Sequence, residues 1–231
     1  MISPRPSKER GHANHGWLDS YHSFSFATYR DPRFMGFRDL RVINEDRVAA
    51  AEGFETHPHR DMEILTYVIS GALAHKDSMG NGRIIRPGEV QGMSAGTGIT
   101  HSEFNASDTD PVHFLQIWIK PHTMSVVPSY AEWLPDGREK QGWALAASGD
   151  GAQGSIRIHQ DARMHVAVCD RAMELPVDIA SGRFGWLQVA AGRINAGGES
   201  LAAGDGASFA GGDIAVVRAE AGSQLLLFDL I

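Results

Sequence analysis

The sequence predicts an all-β protein made of two β-barrels in one chain, and three observations carry that expectation. Helix-period stretches are scarce, and short apolar runs broken by Gly, Pro, Asn and Asp recur in their place. The 26 glycines, set against 10 prolines and no biased tract, suit many tight turns rather than disorder. The third observation is an internal repeat. The first half reads YVISGALAH and then RPGEVQGMSAG; the second reads LQVAAGRIN and then AAGDGASFAGG. Each copy has a β run ending in Gly, a second strand, and a Gly-acid turn leading to a third strand and another Gly. That order is the one expected of two copies of one barrel.

Taken in order, the clearest strands are 40–43, 64–69, 71–75, 112–119, 186–190 and 225–230. The turn Ser70-Gly71 between the second and third of these reads as a tight hairpin. Further turns are marked by Asp77-Ser78-Met79-Gly80-Asn81-Gly82 and by Arg86-Pro87-Gly88-Glu89. The domain boundary is expected in 129–154, a stretch rich in turn residues with little strand pattern. This gives an N-terminal domain over 1–135 and a diverged C-terminal domain over 136–231.

Composition narrows the function classes. A length of 231 residues accommodates two domains of roughly 100 residues each. A net charge of −7 with no basic run argues against a nucleic-acid partner. The single cysteine, Cys169, excludes an intrachain disulfide and a Cys-based zinc site. The polar start MISPRPSKERGH lacks the apolar core of a signal peptide, and no apolar run reaches the length of a membrane span. A cytoplasmic protein without a membrane partner is the expectation. A monomer is expected too, since two barrels in one chain can cover each other as a dimer would.

Two motifs carry chemistry: Thr56-His57-Pro58-His59-Arg60 and Thr100-His101-Ser102-Glu103-Phe104. Residues two apart on a strand point to one face, so His57 can converge with His59 and His101 with Glu103. If the two segments are neighbours, three imidazoles and a carboxylate meet, a donor set for one divalent first-row ion: Fe, Ni, Cu, Co, Mn or Zn. A lone H-x-H is more often a pair of surface histidines, and H-x-E is weaker still. The conjunction of the two, with matching parity in one predicted barrel, favours the metal. Glu63, four residues after His59, shares that face and competes with Glu103 as ligand; a place beside the ligands is its other role. His75 and His113 read as structural or pocket-lining, and His12, His15 and His22 have no ligand spacing. His122, His159 and His165 read as surface or core residues. At the corresponding places the second copy offers Asp178-Ile179-Ala180 and Val217-Arg218-Ala219, without an imidazole, so the active site is expected in the first barrel.

At these residues the sequence resembles a cupin. His57-Pro58-His59, Glu63 and Gly71 follow that family's first motif. Gly96-Thr97-Gly98, His101 and Asn105 follow the second, with Gly in place of Pro. A closer resemblance, to the pirin family, covers the first ~125 residues. It rests on Trp17-Leu18, His22-Ser23-Phe24-Ser25-Phe26, the run LRVINED from Leu40, His57-Pro58-His59-Arg60, Asp77-Ser78, and QGMSAGTGITHSEFN from Gln91 to Asn105. The resemblance implies two jelly-roll cupin barrels, with one metal in the first held by His57, His59, His101 and Glu103, which favours Glu103 over Glu63. It also implies quercetin 2,3-dioxygenase activity, the family's bacterial association, with Glu103 as catalytic base and a small aromatic substrate and O₂ as partners. A metal-dependent regulator acting through protein binding is the alternative, because the family includes a eukaryotic nuclear co-regulator; another cupin enzyme is a third. Met93, Phe24, Phe26 and Phe104 are candidates to line an apolar slot for flat rings, with core packing as their competing role.

Overall fold

The computed structural model describes residues 1–231, and the chain is all-β. In chain order the strands are β1 (Ser3–Arg5), β2 (Gly11–Asn14), β3 (Leu18–His22), β4 (Leu40–Val48), β5 (Gly53–His59), β6 (Glu63–Ser70), β7 (Leu73–Asp77), β8 (Gly82–Ile85), β9 (Val90–Ser94), β10 (Ile99–Asn105), β11 (Val112–Ile119) and β12 (Ser129–Trp133). They continue as β13 (Ala144–Ser148), β14 (Ile156–Arg157), β15 (Arg163–Cys169), β16 (Met173–Pro176), β17 (Phe184–Ala191), β18 (Arg193–Ala196), β19 (Glu199–Ala202), β20 (Gly206–Ala210), β21 (Val216–Ala219) and β22 (Ser223–Leu230).

Two compact units result. One comprises Gly11–Leu134 with Ile158–Gln160; the other comprises Met1–Arg10, Pro135–Arg157 and Asp161–Ile231. The first unit has a seven-stranded sheet in the order β12-β9-β6-β11-β4-β3-β2 and a four-stranded sheet β5-β10-β7-β8. The second repeats the plan as β1-β20-β17-β22-β15-β13-β14 and β16-β21-β18-β19. These are two cupin barrels that share the order of their inner strands and differ at one edge, where β14 runs parallel to β13 but β2 runs antiparallel to β3. The N-terminal strand β1 pairs with β20, in the position that β12 occupies on β9.

Alternation explains the cores. In β10 the residues Ile99, His101, Glu103 and Asn105 turn inward while those between them are half-exposed. The second barrel buries an apolar cluster that includes Leu187, Val189, Phe209, Leu225 and Leu227. The first divides its apolar core into a cluster around Val68, Leu73 and Phe114 and another around Ile64, Met93 and Ile99.

Two expectations need correction. Ser70-Gly71 is no hairpin: β6 pairs with β9 and β11 while β7 pairs with β10 and β8, so the turn carries the chain from one sheet to the other. The stretch 129–154, read as poor in strands, contains β12 and β13. A short apolar run next to Gly looks the same whether it pairs with its sequence neighbour or with a distant strand.

Candidate functional site

The four-stranded sheet of the first barrel presents the histidines. β5 lies at its edge, where the missing N–H of Pro58 is tolerated, and strand alternation sets His57 and His59 on one face around that proline. β10 runs antiparallel beside it with His101 opposite His57, and an irregularity in the pairing falls between His101 and Glu103. On its other side β10 pairs with β7, which places Glu103 opposite His75.

The three imidazoles converge through Nε2. His101 Nε2 is 3.0 Å from His57 Nε2 and 2.9 Å from His59 Nε2. His57 Nδ1 lies 2.8 Å from the Glu55 carbonyl oxygen, which can only accept, so Nδ1 donates there and Nε2 is the atom turned toward the cluster. Burial, with the neighbouring histidine charges adding to it, lowers the pKa of His59 to about 4 and that of His101 to about 2. Both rings are neutral at pH 7. His57, His59 and His101 form one group of metal-capable side chains; Glu103 belongs to a second, with His101 and His75. No comparable group occurs in the second barrel.

Glu103 is 2% exposed. Gln116 Nε2 donates to its Oε2 at 2.8 Å, and the single hydroxyl proton of Thr66 is shared between Glu103 Oε1 at 3.3 Å and Gln116 Oε1 at 2.9 Å. Burial raises its pKa to about 7, against the pull of the Thr66 and Gln116 hydrogen bonds and with the carboxyl of Asp46 adding to the rise. Glu63 is turned to other partners. Ser94 Oγ donates to it at 2.5 Å, and His159 Nδ1 lies 3.3 Å away.

A cavity of about 360 Å³ opens against this cluster. Leu18, Phe26, Phe54 and Trp118 supply apolar walls, and His57, His59, Glu103 and Gln116 face into it. Of the four side chains expected to line a slot, Phe26 does so, whereas Phe24 and Met93 are buried core residues and Phe104, half-exposed on β10, is not on the cavity wall. Ser20, His22, Asn44 and Asp46 also line the cavity and were not singled out as site residues. Their signal was alternation: Ser20 and His22 in β3, like Asn44 and Asp46 in β4, are polar residues two apart on one face of a buried strand. Gln116 announced itself as an amide inside the apolar run FLQIWI.

Residues 4–119 match the family described as Pirin, and residues 145–230 the one described as Quercetinase C-terminal cupin domain. The quercetin 2,3-dioxygenase of Escherichia coli (strain K12) is 46% identical over 230 residues, covering 100% of this chain and 99% of that protein. The chain belongs to the pirin family. Another member, the pirin-like protein of Caulobacter vibrioides, is 39% identical over 233 residues, with 99% of each chain covered. Among solved structures, the pirin YhhW from Escherichia coli matches with a TM-score of 0.95 at 46% identity, covering 100% of this chain and 98% of that one. A structure of YhhW in complex with nickel(II) matches with a TM-score of 0.93 at the same 46% identity, covering 100% and 99%.

Proposed function

We propose that this pirin is a metal-dependent flavonol dioxygenase of the quercetin 2,3-dioxygenase type, with the ion held by His57, His59, His101 and Glu103. The observation that carries the reading is the convergence of three imidazole Nε2 atoms beside an apolar cavity that His57 and His59 line. The donor set fits an ion. Two nitrogens held at right angles about 2.1 Å from one ion lie about 3.0 Å apart, and the spacings found are 2.9 and 3.0 Å. Nickel, the ion in the YhhW complex, is the first to test; Fe, Cu, Co, Mn and Zn suit the same ligands.

Bound there, a divalent ion lowers the pKa of a hydroxyl placed against it. The protein does the rest. Phe26, Phe54 and Trp118 border the space for a flat ring system and keep water from it. Glu103 accepts the 3-hydroxyl proton at a carboxylate oxygen, general-base help worth ~10²–10⁴-fold. Thr66 and Gln116 fix the orientation of that carboxylate. In the overall reaction both atoms of O₂ enter the opened ester, the carbon bearing the reacting oxygen leaves as carbon monoxide, and the proton held by Glu103 returns to the product carboxylate.

The experiment is spectroscopic. Quercetin added without oxygen to protein loaded with each metal in turn should shift its absorption, and air should then bleach it with release of carbon monoxide. A flavonol spectrum that never moves, with no carbon monoxide under any of the six metals, would end this reading.

A further inference from the structure

Asp46 has no role in the mechanism above, yet it is the most unusual group in the cavity. It is 4% exposed, lines the space beside Leu18 and Phe54, and has no lysine or arginine against it. Ser20 Oγ donates to Oδ1, the single hydrogen bond that the chain gives this carboxyl. Burial raises its pKa to about 7, opposed by the Ser20 bond and helped by the charge of Glu45. A buried acid with one oxygen unspent beside an apolar space is costly unless a ligand completes its hydrogen bonding.

The register places it. Ser20, Asp46 and Phe114 stand side by side on β3, β4 and β11, one row from His22, Asn44 and Gln116. Asp46 thus faces the cavity from the large sheet, whereas His57 and His59 face it from the small one. A flat substrate with its reacting hydroxyl at the histidines brings another part of its ring system toward Asp46. Resting on the dioxygenase reading, we propose that Asp46, steadied by Ser20, is a specificity-determining residue that binds a second, non-reacting hydroxyl of a polyhydroxylated flavonol. Phenolic O–H groups are strong donors, and a site built to bond one discriminates against the analogue that lacks it, because its buried polar atom is then left unpaired.

The test compares quercetin with 3-hydroxyflavone, which keeps the reacting hydroxyl and lacks the others. Affinities are read without oxygen from the flavonol absorption shift on the nickel-loaded protein. The wild type should bind quercetin tighter by about tenfold or more. Asp46→Leu should weaken quercetin by a similar factor and 3-hydroxyflavone by less than about threefold, and Asp46→Asn, which keeps an acceptor, should recover most of the quercetin affinity. Equal wild-type affinities overturn the inference without any variant, and so does an Asp46→Leu protein that weakens both flavonols equally, since a carboxyl that only staples β3 to β4 would act in that way. Absence of any spectral shift with either flavonol overturns the dioxygenase reading itself, and this inference with it.

Discussion

Across the large sheet of the first barrel one row of side chains reads His22, Asn44, Gln116, Thr66 and Gln91; across that of the second, the row on the same strands reads Leu145, His165, Leu227, Leu187 and Ala207. Each row opens on a cavity: about 360 Å³ in the first barrel and about 200 Å³ in the second. The strands that carry the two rows follow one order in both. The fold therefore does not require an unbroken polar row here, since three of the five positions in the second copy are leucine. Burying amides and hydroxyls in this row is unfavourable without partners. Thr66 and Gln116 meet that demand by bonding Glu103 and each other, and His22 Nδ1 lies 2.9 Å from Asn44 Oδ1. The barrel whose interior departs from the easier solution is the one that gathers three histidines, as expected when function rather than stability selects the residues.

Breaking the first barrel's cluster should give the largest effect. His101→Ala removes the nitrogen that stands between the other two and should reduce retained metal and flavonol turnover by more than about 100-fold, beyond the range typical for a ligand's outer partners. His165→Ala, which removes the histidine that stands in the second barrel's row where Asn44 stands in the first, should change neither by more than about twofold. Elemental analysis and carbon monoxide release read both. Importing the second barrel's residue comes next: Gln116→Leu leaves the histidines in place but removes the shorter of the two hydrogen bonds that hold Glu103, so kcat should fall by about 10–100-fold with metal content little changed.

A proton count sharpens the contrast further. Glu103, with its pKa raised to about 7, still carries a proton in the metal-free protein below that pH, whereas His59 and His101, lowered to about 4 and about 2, do not. The sign follows. Metal that takes Glu103 as a carboxylate must expel that proton, so affinity should fall as pH drops below 7, by up to about tenfold per unit, and level off above it. Calorimetry of nickel binding at pH 6 in buffers of different ionisation enthalpy should report a proton contributed by Glu103, a contribution that Glu103→Gln removes. If release is the same at pH 6 and pH 8.5, Glu103 does not bind the ion as a carboxylate.

Much of this was legible in the sequence because it lives in short spacing. His57-Pro58-His59 and His101-Ser102-Glu103 declare parity, and parity decides which side chains share a face. The repeat was legible for a similar reason: YVISGALAH and LQVAAGRIN occupy β6–β7 and β17–β18. What stayed hidden depends on pairing between distant strands. Asp46 meets Ser20, and Gln116 meets Thr66, across ladders whose register no local pattern specifies. The same is true of β1, which completes the sheet holding β20 although about 200 residues separate them. His75 read as structural or pocket-lining because its neighbour Glu103 lies on a strand far away in sequence.

The smallest predicted effect tests the repeat itself, independently of any chemistry. Gly71 and Gly192 both have φ of +80° and both follow the strand that leaves the large sheet. A Cβ on Gly71 would meet the Pro111 carbonyl oxygen and Val112 Cα at 2.8 Å; on Gly192 it would meet Ser223 Cα at 2.6 Å. Val112 opens β11 and Ser223 opens β22, the same strand of the two barrels, so one backbone approach has been kept in both copies. Alanine at either position combines left-handed strain with a backbone collision and should destabilise its own barrel by about 2–4 kcal/mol. Gly16→Ala, at φ +83° with nothing within 4 Å of the added carbon, supplies the strain without the collision and should cost only about 1 kcal/mol. Denaturant midpoints for the three variants check this. Should Gly71→Ala and Gly192→Ala prove no worse than Gly16→Ala, the shared turn would owe its glycine to conformation alone, and the close packing of each turn on its strand would not be what the repeat preserves.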